Sequence, residues 1–119
     1  MTIPSRPARV AEEFRHELSE LLARGLKDPR ITGFVTVTGA KMSPDLREIS
    51  VWVSVHGEEK VRKETLAGLE SAAPYLQTEV ARRLKLRHTP HLRFRYDGSV
   101  AEGDKIDRLL KEVRNKEGW

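Results

Sequence analysis

Between Ser71 and Tyr96 lie six basic side chains, Arg82, Arg83, Lys85, Arg87, Arg93 and Arg95, and a single acid, Glu79. The remaining residues of the 119-residue chain hold sixteen Lys or Arg and seventeen Asp or Glu, a balance of −1, so this stretch, at +5, accounts for the whole of the chain's net charge of +4. Cations gathered this locally are suited to neutralising the phosphates of a polyanion, and RNA is the first candidate partner. A basic run on a helix is more often a solvated face than a binding surface. Here Arg87, His88, His91, Arg93 and Arg95 follow the helix with no acid among them, which favours the binding reading. Taking 100° per residue, with Leu76, Val80 and Leu84 inward, Arg82 and Lys85 point nearly opposite to that stripe and Arg83 lies near its edge. Arg6 and Arg9 are weaker candidates, because Glu12 and Glu13 balance them on the same segment.

Other chemistry finds less support. His88 and His91 have a spacing that invites a metal, but Pro90 keeps them off a common helical face and no third ligand follows at fixed spacing. Surface histidines in a basic strip are the better reading. Asp28, Asp45 and Asp97 stand beside Pro or near Gly, where aspartate commonly bonds its own backbone; a Mg²⁺-dependent RNA-processing enzyme built on them is the competing reading. Nothing in the chain assembles a nucleophile, a base and an orienting group, so no catalytic site is expected. The absence of cysteine excludes disulfides, thiolate metal sites and thiol catalysis. No cofactor and no metal site are expected. Trp52 is out of phase with the apolar face of its strand, either a stacking platform for a base or a ring covered by the C-terminal segment.

The elements that position these residues follow from periodicity. From Arg6 to Gly25, Val10, Phe14, Leu18 and Leu21 form one helical stripe with Ser5 as N-cap. Lys27-Asp28-Pro29-Arg30 ends it. In Phe34 to Met42 the period becomes two, and Val35 and Val37 share a face with Ala40 and Met42 only if Gly39 absorbs a bulge. Ser43-Pro44-Asp45-Leu46 reads as a turn, and Arg47 to His56 places Ile49, Val51, Val53 and Val55 inward, completing a hairpin. Glu58 to Ala73 is helical; beyond Pro74 the stripe resumes at Leu76, Val80 and Leu84, as two helices or one sharply kinked helix. Leu92, Phe94 and Tyr96 then face inward from a short strand, with His91, Arg93 and Arg95 opposite. A capping-box spacing from Ser99 to Glu102 opens a C-terminal helix over about 99–114, with a frayed tail at 115–119.

The order is α-β-β-α-α-β plus a C-terminal helix, an α+β domain with helices on one face of a three-stranded sheet. A hydrophobic content of 38% with 34% charged residues suits one domain over 1–119, its core about 6–98. No run is long enough to span a bilayer and no secretory h-region opens the chain, so a cytoplasmic location without membrane attachment is expected.

The order and the broken helix pair resemble the type II KH domain. The series Arg9-Val-Ala-Glu-Glu13, Leu26-Lys-Asp-Pro-Arg-Ile31, Val35-Thr-Val-Thr38, Ser43-Pro-Asp-Leu46, Ser54-Val55, Ala81-Arg-Arg-Leu84 and Tyr96-Asp-Gly-Ser99 resembles the ribosome-binding factor A family of bacteria, over roughly Arg6 to Leu110. That resemblance implies a ribosome-assembly factor, a binder and not an enzyme. It implies as partners the free small (30S) ribosomal subunit and its 16S rRNA, with late maturation of the rRNA 5′ end as the role. A monomer without a small-molecule substrate is the matching expectation. KH domains clamp single strands with a Gly-x-x-Gly loop between two helices. The family replaces it with an Ala-x-Gly kink, and the matching positions here are Ala72, Ala73 and Pro74. A general KH-type single-stranded RNA module without ribosome selectivity is the alternative.

Overall fold

The computed structural model describes residues 5–31 and 34–98, and the elements run α1 (Arg6–Ala23), β1 (Phe34–Met42), β2 (Glu48–His56), α2 (Glu59–Arg83) and β3 (His91–Tyr96). The expected C-terminal helix over 99–114 and the tail after it lie outside the described residues.

Helix α1 begins where the sequence places its cap: Ser5 is extended and its hydroxyl accepts a hydrogen bond from the Ala8 amide at 3.3 Å. Pro7 stands in the first turn, where its missing N–H has no intrahelical acceptor to serve. The buried stripe is Val10, Ala11, Phe14, Leu18 and Leu21. The helix stops as the chain turns through Gly25 at φ 88, a left-handed conformation that glycine adopts without a Cβ penalty.

The sheet order is β1-β2-β3, antiparallel between β1 and β2 and parallel between β2 and β3. Val37 pairs with Val53 and Gly39 with Trp52, so Thr38 is the extra residue of a bulge at the position that the change of alternation demanded. Past it Ala40 pairs with Val51 and Met42 with Ile49, keeping the apolar side chains of β1 on the inner face. A parallel neighbour for β2 requires a crossover connection, and α2 supplies it. Both helices lie on the inner face, α1 against β1 and α2 against β3. Phe14, Leu18, Ile49, Val51, Val53, Leu69, Leu76 and Val80 are wholly inaccessible at the centre.

One expectation resolves in a particular way. The helical segment is continuous from Glu59 to Arg83 with Pro74 inside it, so of the two expected arrangements the single helix is the one present, and Ala72, Ala73 and Pro74 are not a linker between two helices. Pro74 is exposed, while Leu69, Ala73, Leu76 and Val80 are buried on the other side. Packing of that side holds the turns on either side of the proline together, and tertiary contacts supply most of a helix's stability. The fold keeps the type II KH-like α+β order, with the long α2 in the place of the pair.

Candidate nucleic-acid interface

The cations proposed from sequence fall mainly on three surfaces. Arg82 and Arg83 close α2, and both are drawn to Glu79: Arg82 at 2.5 Å and Arg83 at 3.3 Å. Hydrogen bonds from Arg82 first, and from Arg83 next, hold the Glu79 carboxyl below its ordinary pKa. Arg82 remains 70% exposed, whereas Arg83 is 27% exposed and also reaches Glu17 of α1 at 3.6 Å. Arg83 therefore ties two helices together, and Arg82 has most of its surface turned to solvent.

Arg93 and Arg95 lie on the outer face of the sheet. In the strand register, Lys41 and Arg93 flank Ser50, and Gly39 and Arg95 flank Trp52. Arg95 is half-buried, its Nε donating to Ser50 Oγ at 3.3 Å, while Lys41 and Arg93 are exposed. Trp52 is itself half-buried. Lys41 was not among the residues singled out from sequence. The alternation of β1 beyond the bulge was the signal that carried it to this face.

The third surface is a groove of about 650 Å³ at one end of the domain, where the start of α1, the β1–β2 turn and the α2–β3 loop meet. Arg6, Arg47, Lys85, Arg87 and His88 supply its polar lining, and Val10, Met42, Leu46 and Leu86 its apolar lining. Arg9 is exposed on α1 but does not line the groove. Among the described residues no carboxylate lies within 4 Å of Arg6, Lys85 or Arg87; Glu12, expected to balance Arg6 and Arg9, pairs with Arg15 instead. Asp45 is the single acid of the lining, 4.0 Å from Arg47.

Lys85 is in a place that the helical wheel did not anticipate. The helix ends at Arg83, and Lys85 sits beyond the cap at φ 56, with its amide donating to Arg82 O at 3.2 Å and the Leu86 amide to Ala81 O at 2.9 Å. That pair of bonds is a Schellman closure, whose left-handed residue is usually glycine. The lysine side chain thus leaves from the turn and not from the helix face.

The β1–β2 turn is fixed by its own hydrogen bonds. Ser43 N donates to Glu48 O at 2.8 Å and Leu46 N to Ser43 O at 2.9 Å; the Ser43 hydroxyl donates to Asp45 Oδ1 at 2.7 Å. That hydroxyl, followed by the Arg47 amide, lowers the Asp45 pKa from its ordinary value. Arg47 O accepts from the His91 amide at 2.7 Å, which ties the turn to β3. Arg47 was not proposed from sequence, since it stood at the start of an alternating strand with no basic neighbour.

The turn aspartates serve their own neighbourhoods. Asp28 accepts from the Arg30 amide and guanidinium, and Asp97 Oδ2 accepts from the Thr38 hydroxyl at 2.7 Å. Among the described residues no three His, Asp or Glu side chains come together as metal ligands. His88 lines the groove and His91 is exposed at the start of β3. No described helix is long and apolar enough to cross a membrane.

A three-stranded sheet with both helices on one face, and cations spread over its outer face and one end, defines a KH-like α+β domain of nucleic-acid-binding type. Comparison with known proteins gives the particular family. The family model described as Ribosome-binding factor A matches residues 6–110. Ribosome-binding factor A of Anaeromyxobacter dehalogenans (strain 2CP-C) is 72% identical over 116 residues, covering 98% of this chain and 84% of that one. The protein of that name from Geobacter metallireducens is 46% identical over 113 residues, 95% of each chain. The crystal structure of ribosome-binding factor A from Thermus thermophilus superposes with a TM-score of 0.65 at 29% identity, over 77% of this chain and 97% of that one. A Thermus thermophilus ribosome binding factor A fitted into the cryo-EM map of a 30S complex gives 0.57 at 27% identity, over 81% and 96%. This chain belongs to the ribosome-binding factor A family.

Proposed function

We propose that this protein is a ribosome-assembly factor that binds the free small ribosomal subunit and supports late maturation of 16S rRNA at its 5′ end. It acts in the cytoplasm as a monomeric, stoichiometric binder and not as an enzyme. Its cations engage rRNA phosphates, favour one conformation of the rRNA, and release it when maturation alters the site. Of the sequence-proposed cations, Arg6, Lys85 and Arg87 at the end groove are the strongest phosphate ligands, with Arg93 on the sheet and Arg82 on α2 as flanking contacts.

The observation that carries this reading is the family membership together with that cationic end, whose Arg6, Lys85 and Arg87 have no carboxylate partner among the described residues. A relative of the same family has been fitted into a 30S complex, which supports the choice of subunit. Sedimentation with separated small subunits, large subunits and joined ribosomes tests it. Cosedimentation with small subunits in clear preference to the other two is expected. Equal association with all three would replace it with a general single-stranded RNA module.

A further inference from the structure

Two residues of the end groove hold backbone conformations that L side chains rarely adopt. Leu46, in the β1–β2 turn, has φ 62 and Lys85, after α2, has φ 56; they are the only non-glycine residues at positive φ among those described. Glycine would relieve the backbone at either position. At both, the side chain that glycine lacks lines the same groove, one apolar and one cationic.

The groove combines two features that suit one kind of ligand. Half-buried Leu46 and Leu86 offer apolar surface over a floor of core residues Val10 and Met42, while Arg6, Arg47, Lys85 and Arg87 come from three different elements around it. Its volume of about 650 Å³ lies within the roughly 300–1,000 Å³ of small-ligand sites. A continuous duplex keeps its bases stacked inside and presents phosphates and sugars outside, so it would meet the cations and leave the apolar surface bare. An unpaired nucleotide satisfies both, its base on the apolar residues and its phosphates on the cations. Guanidinium planes at Arg47 and Arg87 add stacking surfaces for the base.

We propose that the groove between α1, the β1–β2 turn and the α2–β3 loop is a pocket for one unpaired RNA nucleotide, its base seated on Leu46 and Leu86 above the buried Met42 and its phosphates held by Arg6, Lys85 and Arg87. The site is separate from the Gly-x-x-Gly position of KH domains: Lys85 lies eleven residues beyond Pro74, about 16 Å at helical rise, and Ala72, Ala73 and Pro74 do not line the groove. This inference rests on the proposed role in binding rRNA, and names what part of the RNA the end of the domain takes.

The test compares a short oligoadenylate with an abasic phosphodiester strand of the same length, by fluorescence anisotropy with the full chain. The two strands carry equal charge and differ only in the bases. The base-bearing strand is expected to bind about tenfold more tightly, the scale of one stacked base. Met42 and Met1 are the two methionines, so the Met42 ε-methyl NMR signal is readily assigned and should move with the base-bearing strand alone. Leu46→Gly should bring the affinity for oligoadenylate down toward that for the abasic strand, with the circular dichroism spectrum of the folded chain unchanged. The methyl shift requires no substitution and decides the matter if that variant folds poorly. Equal affinity for the two strands, or a motionless Met42 methyl, overturns the base pocket. If small-subunit cosedimentation persists in that case, the assembly role stands without it; base-selective binding with no subunit preference would instead retain the pocket and remove the assembly role.

Discussion

Arg83 of α2 reaches Glu17 of α1 at 3.6 Å, with only 27% and 24% of the two side chains exposed, and it also meets Glu79 on its own helix. A cation flanked by two carboxylates and mostly covered by protein acts first as a clamp between helices. Arg83→Ala is expected to destabilise the fold by about 1 kcal/mol, and the exposed Arg82→Ala by clearly less. Urea denaturation of both variants and of Glu17→Ala, arranged as a double-mutant cycle, checks this. A coupling of zero between positions 17 and 83 would reduce the clamp to a crossing without energy.

Lys85 and Arg82 separate in their expected effects on RNA binding. Lys85 has no carboxylate partner among the described residues, while Arg82 is held by Glu79. Lys85→Glu should weaken small-subunit binding more than Arg82→Glu, and the double change should weaken it most, with the circular dichroism spectrum unaltered. With about four phosphates neutralised, log K should fall with log salt at a slope near −3, from roughly −0.7 per single-strand contact. Lys85→Ala should make that slope shallower by about 0.7.

Gly68 presents a reversal of the usual helix rule. It is buried in α2, and a Cβ there would meet Ile31 Cγ1 at 2.6 Å and Arg30 Cβ at 3.3 Å. Gly68→Ala therefore costs about 1–3 kcal/mol from overpacking, instead of the ~1 kcal/mol gain that an unobstructed helix site would give. Thermal melts should show the loss, and Ile31→Ala in the same chain, which removes the Cγ1 that is met, should make the Gly68→Ala change less costly than it is beside Ile31.

Pro74 sits on the exposed side of a continuous helix, and its nitrogen has no hydrogen to give to the carbonyl of Glu70. Pro74→Ala restores that donor while freeing the unfolded chain. A net stabilisation of about 1 kcal/mol is expected by urea midpoint, the regained helical bond outweighing the lost restriction. A destabilised variant would mean that the proline's own shape is required by its surroundings.

Acid should weaken the fold through its paired carboxylates. Arg82, then Arg83, lowers the Glu79 pKa; Arg30 does so for Asp28, and Ser43 with the Arg47 amide for Asp45. Groups depressed in the folded state contribute stability above their unfolded pKa and lose it as pH falls through the folded one. The urea midpoint should be flat from pH 7 to about 5 and decline below about pH 4. Glu79→Gln should remove part of that decline by lowering the neutral-pH plateau toward the acid value.

The pattern of what could be read in advance has physical causes. The bulge at Thr38 and Gly39 was legible because a single phase change in the apolar alternation has one simple remedy, and Ser5 because a capping hydroxyl stands directly before an apolar stripe. The choice between two helices and one was not legible, since a proline's local cost is written in the sequence and the packing of Leu69, Ala73 and Leu76 that overrides it is not. The cationic end was half legible. Charge density marked Lys85 and Arg87, but the turn that carries Arg47 and Leu46 enters the groove only through tertiary closure, and no glycine announced the left-handed turn at Lys85. The cations between Ser71 and Tyr96 fall on three surfaces because a helix end, a loop and a strand point in different directions.

The extra residue in β1 does more than restore the phase of a strand. Thr38 donates its hydroxyl to Asp97 at 2.7 Å, and the Asp97 amide donates to Val53 O at 2.7 Å, so the bulge reaches from the first strand over the second to the exit of the third. Excising Thr38 would yield a more regular ladder, with every inward side chain still inward, yet the outer strands would lose this side-chain bridge between them. In this sheet, geometric perfection and mechanical cohesion are alternatives, and the irregular strand is the one that laces the edges together.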